Sequence, residues 1–343
     1  MERVDNGAGG LTTPQLRTEP DELQALVDAA ARDRGLPQAF VEKDFWVIEV
    51  LRAAMAPRSV TDKSGAILPV AAVFKGGTSL SRGFGIIERF SEDVDLLIGF
   101  PDGCSPGARD RLLKDICTGV GDHLGLGLDS RTSEGSSKGV KRNMRYHFPA
   151  TYGSPDITEG VLLEMGTRGG TFPTESRHIR SIAAEFALQS LGQDESEYEE
   201  YAAVSVEVLS PERTLLEKLA AVHDAVTRLP DEKAHAALQR GGRHFYDIHC
   251  LLTDDRVLTA LQRAGQSGVA HLVADIGRHS EAAGFSFSER PAGGYSTSPA
   301  FTPDQTARAH MQSSYDLAAR LIYGNAPTLE ECLSTARTAA HLI

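Results

Sequence analysis

Residues Phe74 to Ile98 read FKGGTSLSRGFGIIERFSEDVDLLI: two adjacent glycines, Thr78 and Ser79 behind them, then Asp93 and Asp95 one residue apart. On a strand, successive side chains point to opposite faces, so the two aspartates share one face while Val94, Leu96 and Ile98 can pack on the other. At roughly 3.3 Å rise per residue the carboxylates stand about 7 Å apart along the strand. They repel unless something positive lies between them. A hard divalent cation such as Mg²⁺ is held in this way, by few carboxylates together with phosphate oxygens of a substrate. Gly76 and Gly77 let the backbone approach an anion closely, and the N–H groups opening the next helix point at it. A phosphate cradle beside a two-carboxylate metal site is what nucleotidyl transfer requires, because the metal clamps the triphosphate and stabilises charge on the attacking and leaving oxygens. An ordinary surface Asp-x-Asp next to a turn glycine is the competing reading, and spacing alone does not separate the two.

The elements that must present these residues lie on either side. ILPVAAVFKGG is apolar and β-branched and ends in glycine, a buried strand running into a turn, and DVDLLIGF is a second strand. TSLSRGFGIIERF reads as a helix capped by Thr78 or Ser79, weakened by Gly83 and Gly85 at about 1 kcal/mol each against alanine. Upstream, DELQALVDAAARDRGLPQAFVEKDFWVIEVLRAAMA gives two helices broken near Gly35 and Pro37. Downstream, SPGARDRLLKDICTGVGDHLGL is a helix, SSKGVKRNMRYHFPATY and GVLLEMGTRGG are strands, and a helix is expected from about Thr174 to Gln189. The acidic GQDESEYEEY marks a domain boundary. After the strand-like AAVSVEVLS the chain turns helical, with Ser210 as N-cap and Pro211 opening SPERTLLEKLAAVHDAVTRL. RHFYDIHCLLTDDRVLTALQRAG and further helices from about Pro303 follow. Residues 284–303 form a Gly/Ser/Pro segment of a length that, inside a compact domain, is a functional lid or mobile. The expected organisation is a flexible leader over 1–18, a domain over 19–195 and a mostly helical domain over 196–343.

The chain has 343 residues, a net charge of -12, 41% hydrophobic and 24% charged residues, an ordinary globular composition with room for two domains. No apolar run approaches the ~20 residues of a membrane span, and the polar start lacks a signal-peptide core. Four scattered cysteines without a CxxC pair fit reduced thiols in a cytosolic protein. The acidic balance argues against generic nucleic-acid binding but allows a local basic patch. SKGVKRNMRYHF gathers Lys138, Lys141, Arg142 and Arg145 near two aromatics, the best candidate for contact with an acidic polymer, with Arg168, Arg177 and Arg180 as an extension. Solvated charge on a hairpin explains any one of these residues equally well. His244, Asp247 and His249 do not share one helix face, which argues against a metal site there, and His223 beside Asp224 reads as a helix-surface pair.

KGGTSLSRGFGIIERFSEDVDLLI resembles the G-[GS]…DxD signature of the minimal nucleotidyltransferase superfamily, and more closely the AbiEii/AbiGii (MenT-type) toxin family, whose members carry FKGGT-L followed by RFS-D-DL. VEKDFWVIEVL is similar to that family's N-terminal helix, LLEMGTR to its central acidic strand, TLLEKLAAV to its lysine motif and RHFYDIHCLL to its YDL motif. The resemblance implies an α/β (α+β) nucleotidyltransferase fold, a small mixed sheet flanked by helices, with a mostly helical C-terminal domain closing over the nucleotide. It implies that Asp93 and Asp95 hold Mg²⁺ and that Glu164, which shares a strand face with Leu162, reaches the metal or acts as general base. Lys75, Gly76, Gly77, Thr78, Ser79, Arg82, Lys218 and Arg243 would contact the nucleotide. Asp247 would be an essential acid beside it. An edge-strand Glu164, a solvated Lys218 and an Asp247–Arg243 ion pair between helices remain open as plain structural readings. The His244-Phe245-Tyr246 run departs from the family pattern, which places a lysine or arginine before the aspartate of the YDL motif.

The expected activity is Mg²⁺-dependent transfer of NMP from an NTP by the toxin of a toxin–antitoxin or phage-defence system. By resemblance the acceptor is the tRNA 3′ end and the partner an AbiEi-type antitoxin with a winged-helix domain. Transfer to a small molecule or a protein hydroxyl suits the acidic charge. An inactive nucleotide-binding partner protein is the reading from another class.

Overall fold

The computed structural model describes residues 13–167, 170–282 and 287–343. Helices α1 (Pro20–Arg34) and α2 (Gln38–Ala54) are separated by Gly35 and lead into β1 (Arg58–Thr61) and β2 (Ile67–Lys75). From β2 the chain passes directly into α3 (Gly76–Thr78), a single turn continued by a wider π-type turn over Ser79–Gly83, before β3 (Asp93–Gly99). Helix α4 (Pro106–His123) precedes the hairpin of β4 (Arg131–Ser137) and β5 (Lys141–Tyr146), then β6 (Val161–Gly166), β7 (Thr174–Ile179), α5 (Ile182–Gln189) and β8 (Val204–Leu209). The rest is helical: α6 (Pro211–Thr227), α7 (Glu232–Gly241), α8 (Arg243–Thr253), α9 (Asp255–Ala282, broken at Gly265), α10 (Gln305–Ala319) and α11 (Leu329–Thr338).

The strands form one mixed sheet in the order β4-β5-β6-β3-β2-β8-β7, with β1 added to β2. β3 runs parallel to β6 and antiparallel to β2, which runs parallel to β8. Alternation divides the sheet into two chemically different faces. Phe74, Val94, Leu96, Ile98, Tyr146, Leu163, Met165, Val206 and Val208 point into the main core, where α1, α2, α4 and α5 cover them. The other face carries Asp93, Asp95 and Glu164, with only a small apolar cluster of Val73, Leu97 and Leu209 beside them.

Helix α2 shows why a buried helix carries the charges of VEKDFW. Glu42 accepts the N–H groups of Thr151 and Tyr152, Lys43 donates to the carbonyls of Thr158 and Gly160, and Asp44 accepts from Ile182. Each charge anchors a neighbouring loop or helix start through its backbone groups. Burial lowers the Lys43 ammonium below its ordinary value.

Several expectations are corrected. Residues 174–179 are a strand rather than the start of a helix, because TESRHI pairs antiparallel with β8; α5 starts only after Ser181, whose hydroxyl caps it. Thr78 and Ser79 do not cap the turn after β2. Thr78 Oγ1 donates to the carbonyl of Asp93 at 2.6 Å and Ser79 Oγ to that of Gly76 at 2.9 Å. The boundary expected near 195 falls inside the sheet, between β7 and β8. Of the expected flexible leader, residues 1–12 lie outside the described residues. Leu16, by contrast, is buried and Arg17 half-buried, and both are held by the Glu200 carboxylate. Residues 284–286 also lie outside the described residues. The rest of that segment is packed, with Tyr295, Ala300 and Phe301 in the core. His223 is buried beneath it rather than on a helix surface, bonded to Ser298 Oγ and to the Glu289 carbonyl.

Candidate active site

One rung of the sheet carries four polar side chains on the same face: Asn143 of β5 beside Glu164 of β6, Glu164 beside Asp95 of β3, and Asp95 beside Lys75 of β2. Asp93 stands one rung along, in line with Leu162 and Arg145. The carboxylates crowd each other. Burial and then the Asp95 charge push Asp93 up to about 6. Burial, the Asp95 charge and a hydrogen bond with Asp95 push Glu164 up to about 7.

The glycine turn closes against this cluster. Gly76 has φ +83, and a Cβ on it would fall on Asp95 Oδ2, well inside van der Waals contact. A Cβ on Gly77 would meet Arg89 Nη2 at 2.5 Å. Both glycines are therefore required by close approach, the first to a carboxylate and the second to a guanidinium.

Behind the turn lies a buried charge cluster. Arg89 grips Asp247 with two hydrogen bonds, Nε to Oδ1 at 2.6 Å and Nη2 to Oδ2 at 2.8 Å. Lys218 Nζ lies 2.7 Å from Asp247 Oδ2 and 3.4 Å from His244 Nδ1. Burial alone would raise Asp247, but the charges of Arg89 and Lys218 outweigh it and hold the carboxyl well below its usual range. Burial lowers Lys218. Burial and the Lys218 charge press His244 down to about 3, so it is neutral. Lys218 and Asp247 thus pair with each other from helices α6 and α8. Arg243, however, turns to Asp93, 3.9 Å from Oδ2, at the rim.

The other expected residues divide. Lys75 reaches Glu217 of α6 at 3.0 Å while sharing the rung with Asp95. Arg82 is engaged elsewhere: its guanidinium meets Asp44, Glu185 at 2.7 Å and the Arg180 carbonyl, which ties the turn to α2 and α5 instead of leaving the charge for a phosphate. On the hairpin, Lys141 and Arg145 share the carboxylate face. Arg142 points to the opposite side and pairs with Asp110 of α4 at 3.1 Å. Arg145 is bonded to Glu134, and Lys138 and Lys141 are exposed. Arg168 lies outside the described residues. Arg177 and Arg180, on the far side of the sheet, pair with Glu175 and Glu195.

Sequence reasoning missed Arg89 and Asn143. The RFS motif contains the first, but nothing local shows that it spans to Asp247. The second sits midway between Lys141 and Arg145, and the period of two places all three on one face. Its neighbour across the strands is set by register alone.

A mixed sheet whose neighbouring strands bring carboxylates together beside a glycine-led turn, closed by helices bearing a lysine, is that of a nucleotidyltransferase. The family model described as nucleotidyl transferase AbiEii toxin, type IV toxin–antitoxin system, matches residues 65–333, and the chain belongs to that family. A nucleoside triphosphate substrate and an antitoxin partner go with that membership. Among solved structures, the chain is similar to MenT4, a nucleotidyltransferase toxin from Mycobacterium tuberculosis H37Rv, with 15% identity over 91% of this chain and 99% of that one and a TM-score of 0.36. It is also similar to an H. pylori chain described as a candidate nucleotidyltransferase, with 11% identity over 72% and 96% and a TM-score of 0.30. No curated protein sequence matches. Among the described residues, no helix is long and apolar enough to cross a membrane.

Proposed function

We propose that this chain transfers a nucleoside monophosphate from an NTP to a hydroxyl group, with Mg²⁺ held by Asp93 and Asp95, and that the acceptor is the 3′ end of tRNA. The observation that carries the reading is the rung joining Glu164, Asp95 and Lys75, two residues along the strand from Asp93 and closed by Gly76.

The donor set fits the metal. All candidate ligands are carboxylate oxygens, the hard donors that Mg²⁺ prefers. Burial first, and then the charge of the neighbouring Asp95, raise Asp93 and Glu164, so a cation between these carboxylates would be favoured. Among the described residues, no group of three or more His, Cys, Asp or Glu is arranged to hold a metal ion by itself. When bound, the ion supplies charge stabilisation at the α-phosphate and the departing pyrophosphate.

The protein's own groups perform the remainder. The backbone of Gly77, Thr78 and Ser79 cradles the triphosphate, and Lys218, paired with Asp247 behind the turn, adds positive charge on that side. Arg243 covers the rim beside Asp93. Glu164 takes the proton of the acceptor hydroxyl, whose oxygen forms the new bond to the α-phosphorus as the bond to pyrophosphate breaks. Residues 19–195 and 196–343 would act as two halves of one cleft, the sheet continuing across the junction. Lys138, Lys141 and Arg145 border the carboxylates on the hairpin side and provide a small basic rim for an acceptor end. The biological reading is a cytoplasmic toxin that blocks translation, in a phage-defence setting, neutralised by an AbiEi-type winged-helix antitoxin.

A second acceptor class, a small molecule or a protein hydroxyl, is favoured by the net charge of -12 and by the pairing of Arg142 and Arg145 with carboxylates. The deciding experiment incubates protein and Mg²⁺ with each α-labelled NTP and total tRNA, beside Asp95→Ala. Label on tRNA with the wild type alone supports the proposal. Label on protein or a small molecule keeps the chemistry and replaces the acceptor. No label anywhere, with EDTA and the variant indistinguishable from wild type, overturns it.

A further inference from the structure

Asn143 is 4% exposed, on the middle of β5, in direct register with Glu164. Its Nδ2 donates to Glu164 Oε1, while its own Oδ1 is buried and meets no hydrogen-bond donor. The amide orientation follows from chemistry, since turning it over would set its oxygen against a carboxylate oxygen. An unsatisfied buried acceptor costs roughly 1–3 kcal/mol, which a residue kept only for packing has no reason to carry. An apolar side chain of similar size would fill the same space without that cost.

We propose that Asn143 is a positioning residue for the transfer reaction: it fixes Glu164 by one carboxylate oxygen and leaves its carbonyl oxygen to accept a hydrogen bond from the acceptor substrate. This rests on the nucleotidyl-transfer reading. Glu164 stands between two partners, Asn143 on one side and Asp95 on the other. Without Asn143 its carboxylate keeps only the contact on the Asp95 side and loses the tether that holds it away from that neighbour. A general base must lie within hydrogen-bond reach of the proton it takes, and small misplacements are expensive in rate. The free oxygen lies within one amide group of Glu164, so a second hydroxyl or amino group on the acceptor, beside the attacking oxygen, is the donor it suits. Lys141 and Arg145 flank Asn143 on the same strand face, two residues away on either side, which places this contact on the acceptor side of the carboxylates rather than at the triphosphate.

The test measures transfer of each α-labelled NTP to total tRNA, or to whichever protein or small-molecule pool takes label, for wild type, Asn143→Ala, Glu164→Gln and the double variant. Asn143→Ala is expected to lose at least tenfold in kcat and to raise KM for the acceptor, with KM for the NTP within twofold of wild type. At saturating acceptor, the double variant is expected to have the kcat of Glu164→Gln alone, because Asn143 acts on the chemical step through Glu164. Asn143→Asp keeps the volume, replaces the donor by an oxygen, and serves as the second variant if Asn143→Ala does not fold; a loss of at least tenfold is expected there too. Full turnover in either folded variant, a rise in KM for the NTP instead of the acceptor, or multiplicative losses in the double variant would overturn the proposal. A wild type that labels nothing removes the nucleotidyl-transfer reading itself, and this one with it. An active wild type with an indifferent Asn143 removes this one alone.

Discussion

Asp95 Oδ2 occupies the place that a Cβ on Gly76 would need. A strand and the turn that follows its neighbour are thereby fitted together at the atom proposed to bind metal. Gly76→Ala must both hold φ near +83 and displace the carboxylate. The left-handed backbone costs an L-residue roughly 1–2 kcal/mol, a loss that a chain of this size can survive. The displaced carboxylate is the heavier consequence, since misplacement on the order of 1 Å can cost ~100-fold in rate. The expected variant is folded by circular dichroism and melts a few degrees lower, with transfer reduced about 100-fold or more. Wild-type transfer by Gly76→Ala would remove Asp95 from the mechanism.

The crowded carboxylates give a pH dependence of definite sign. Asp93 is raised from 3.8 to about 6 and Glu164 from 4.5 to about 7, so the folded chain binds these protons more tightly than the unfolded one. Their contribution favours the fold below the unfolded values and is lost as pH rises through the folded ones, from about 4 to about 7. A divalent ion offsets the repulsion once the protons are gone. Melting in EDTA and in Mg²⁺ is therefore expected to coincide near pH 4.5 and to separate near pH 8, with the Mg²⁺ sample higher. Equal separation at both values would place ion binding away from these groups.

The buried cluster behind the turn separates stability from chemistry. Removing Asp247 leaves Arg89 and Lys218 buried without their counter-charge, a change that costs about 3–5 kcal/mol. Asp247→Ala is expected to melt far below wild type or not to accumulate. Lys218→Met removes one of the two cations while Arg89 keeps both hydrogen bonds to Asp247. That variant is expected to melt near wild type and yet lose NTP binding, measured by calorimetry with Mg²⁺. Tight NTP binding by Lys218→Met would confine this lysine to a structural ion pair.

The parts of the site that lie close in sequence were legible, and those joined only by register were not. Asp93 and Asp95 share a face because strands alternate, and the glycines before Thr78 announce a tight turn without any partner strand being known. The coming together of Asn143, Glu164, Asp95 and Lys75 depends on pairing between four strands, and no short-range pattern encodes that register. The resemblance sets Arg82 among the nucleotide contacts; its partners in the fold, Asp44 and Glu185, come from helices far away in sequence. The acidic run before β8 reads as a domain boundary, yet Glu200 within it is buried against Arg17. Charge along a sequence does not show which charges find partners.

The segment from 287 to 303 has the composition of a lid and the contacts of a wall. His223 on α6 donates from Nε2 to the Glu289 carbonyl at 2.9 Å and pairs through Nδ1 with Ser298 Oγ at 2.8 Å, while Asp224 accepts from the Ser288 N–H and hydroxyl. His223→Ala removes two hydrogen bonds to this segment, leaving Ser298 Oγ only its bond from the Ala300 N–H, at roughly 0.5–1.5 kcal/mol per bond lost. Because α6 also carries Lys218, a lid would transmit this change to turnover, whereas a wall would transmit it only to stability. The expected result is a lower melting temperature and faster proteolysis within 287–303, with kcat per folded molecule within twofold of wild type. A large change in kcat at unchanged melting temperature would return the segment to the role of a lid.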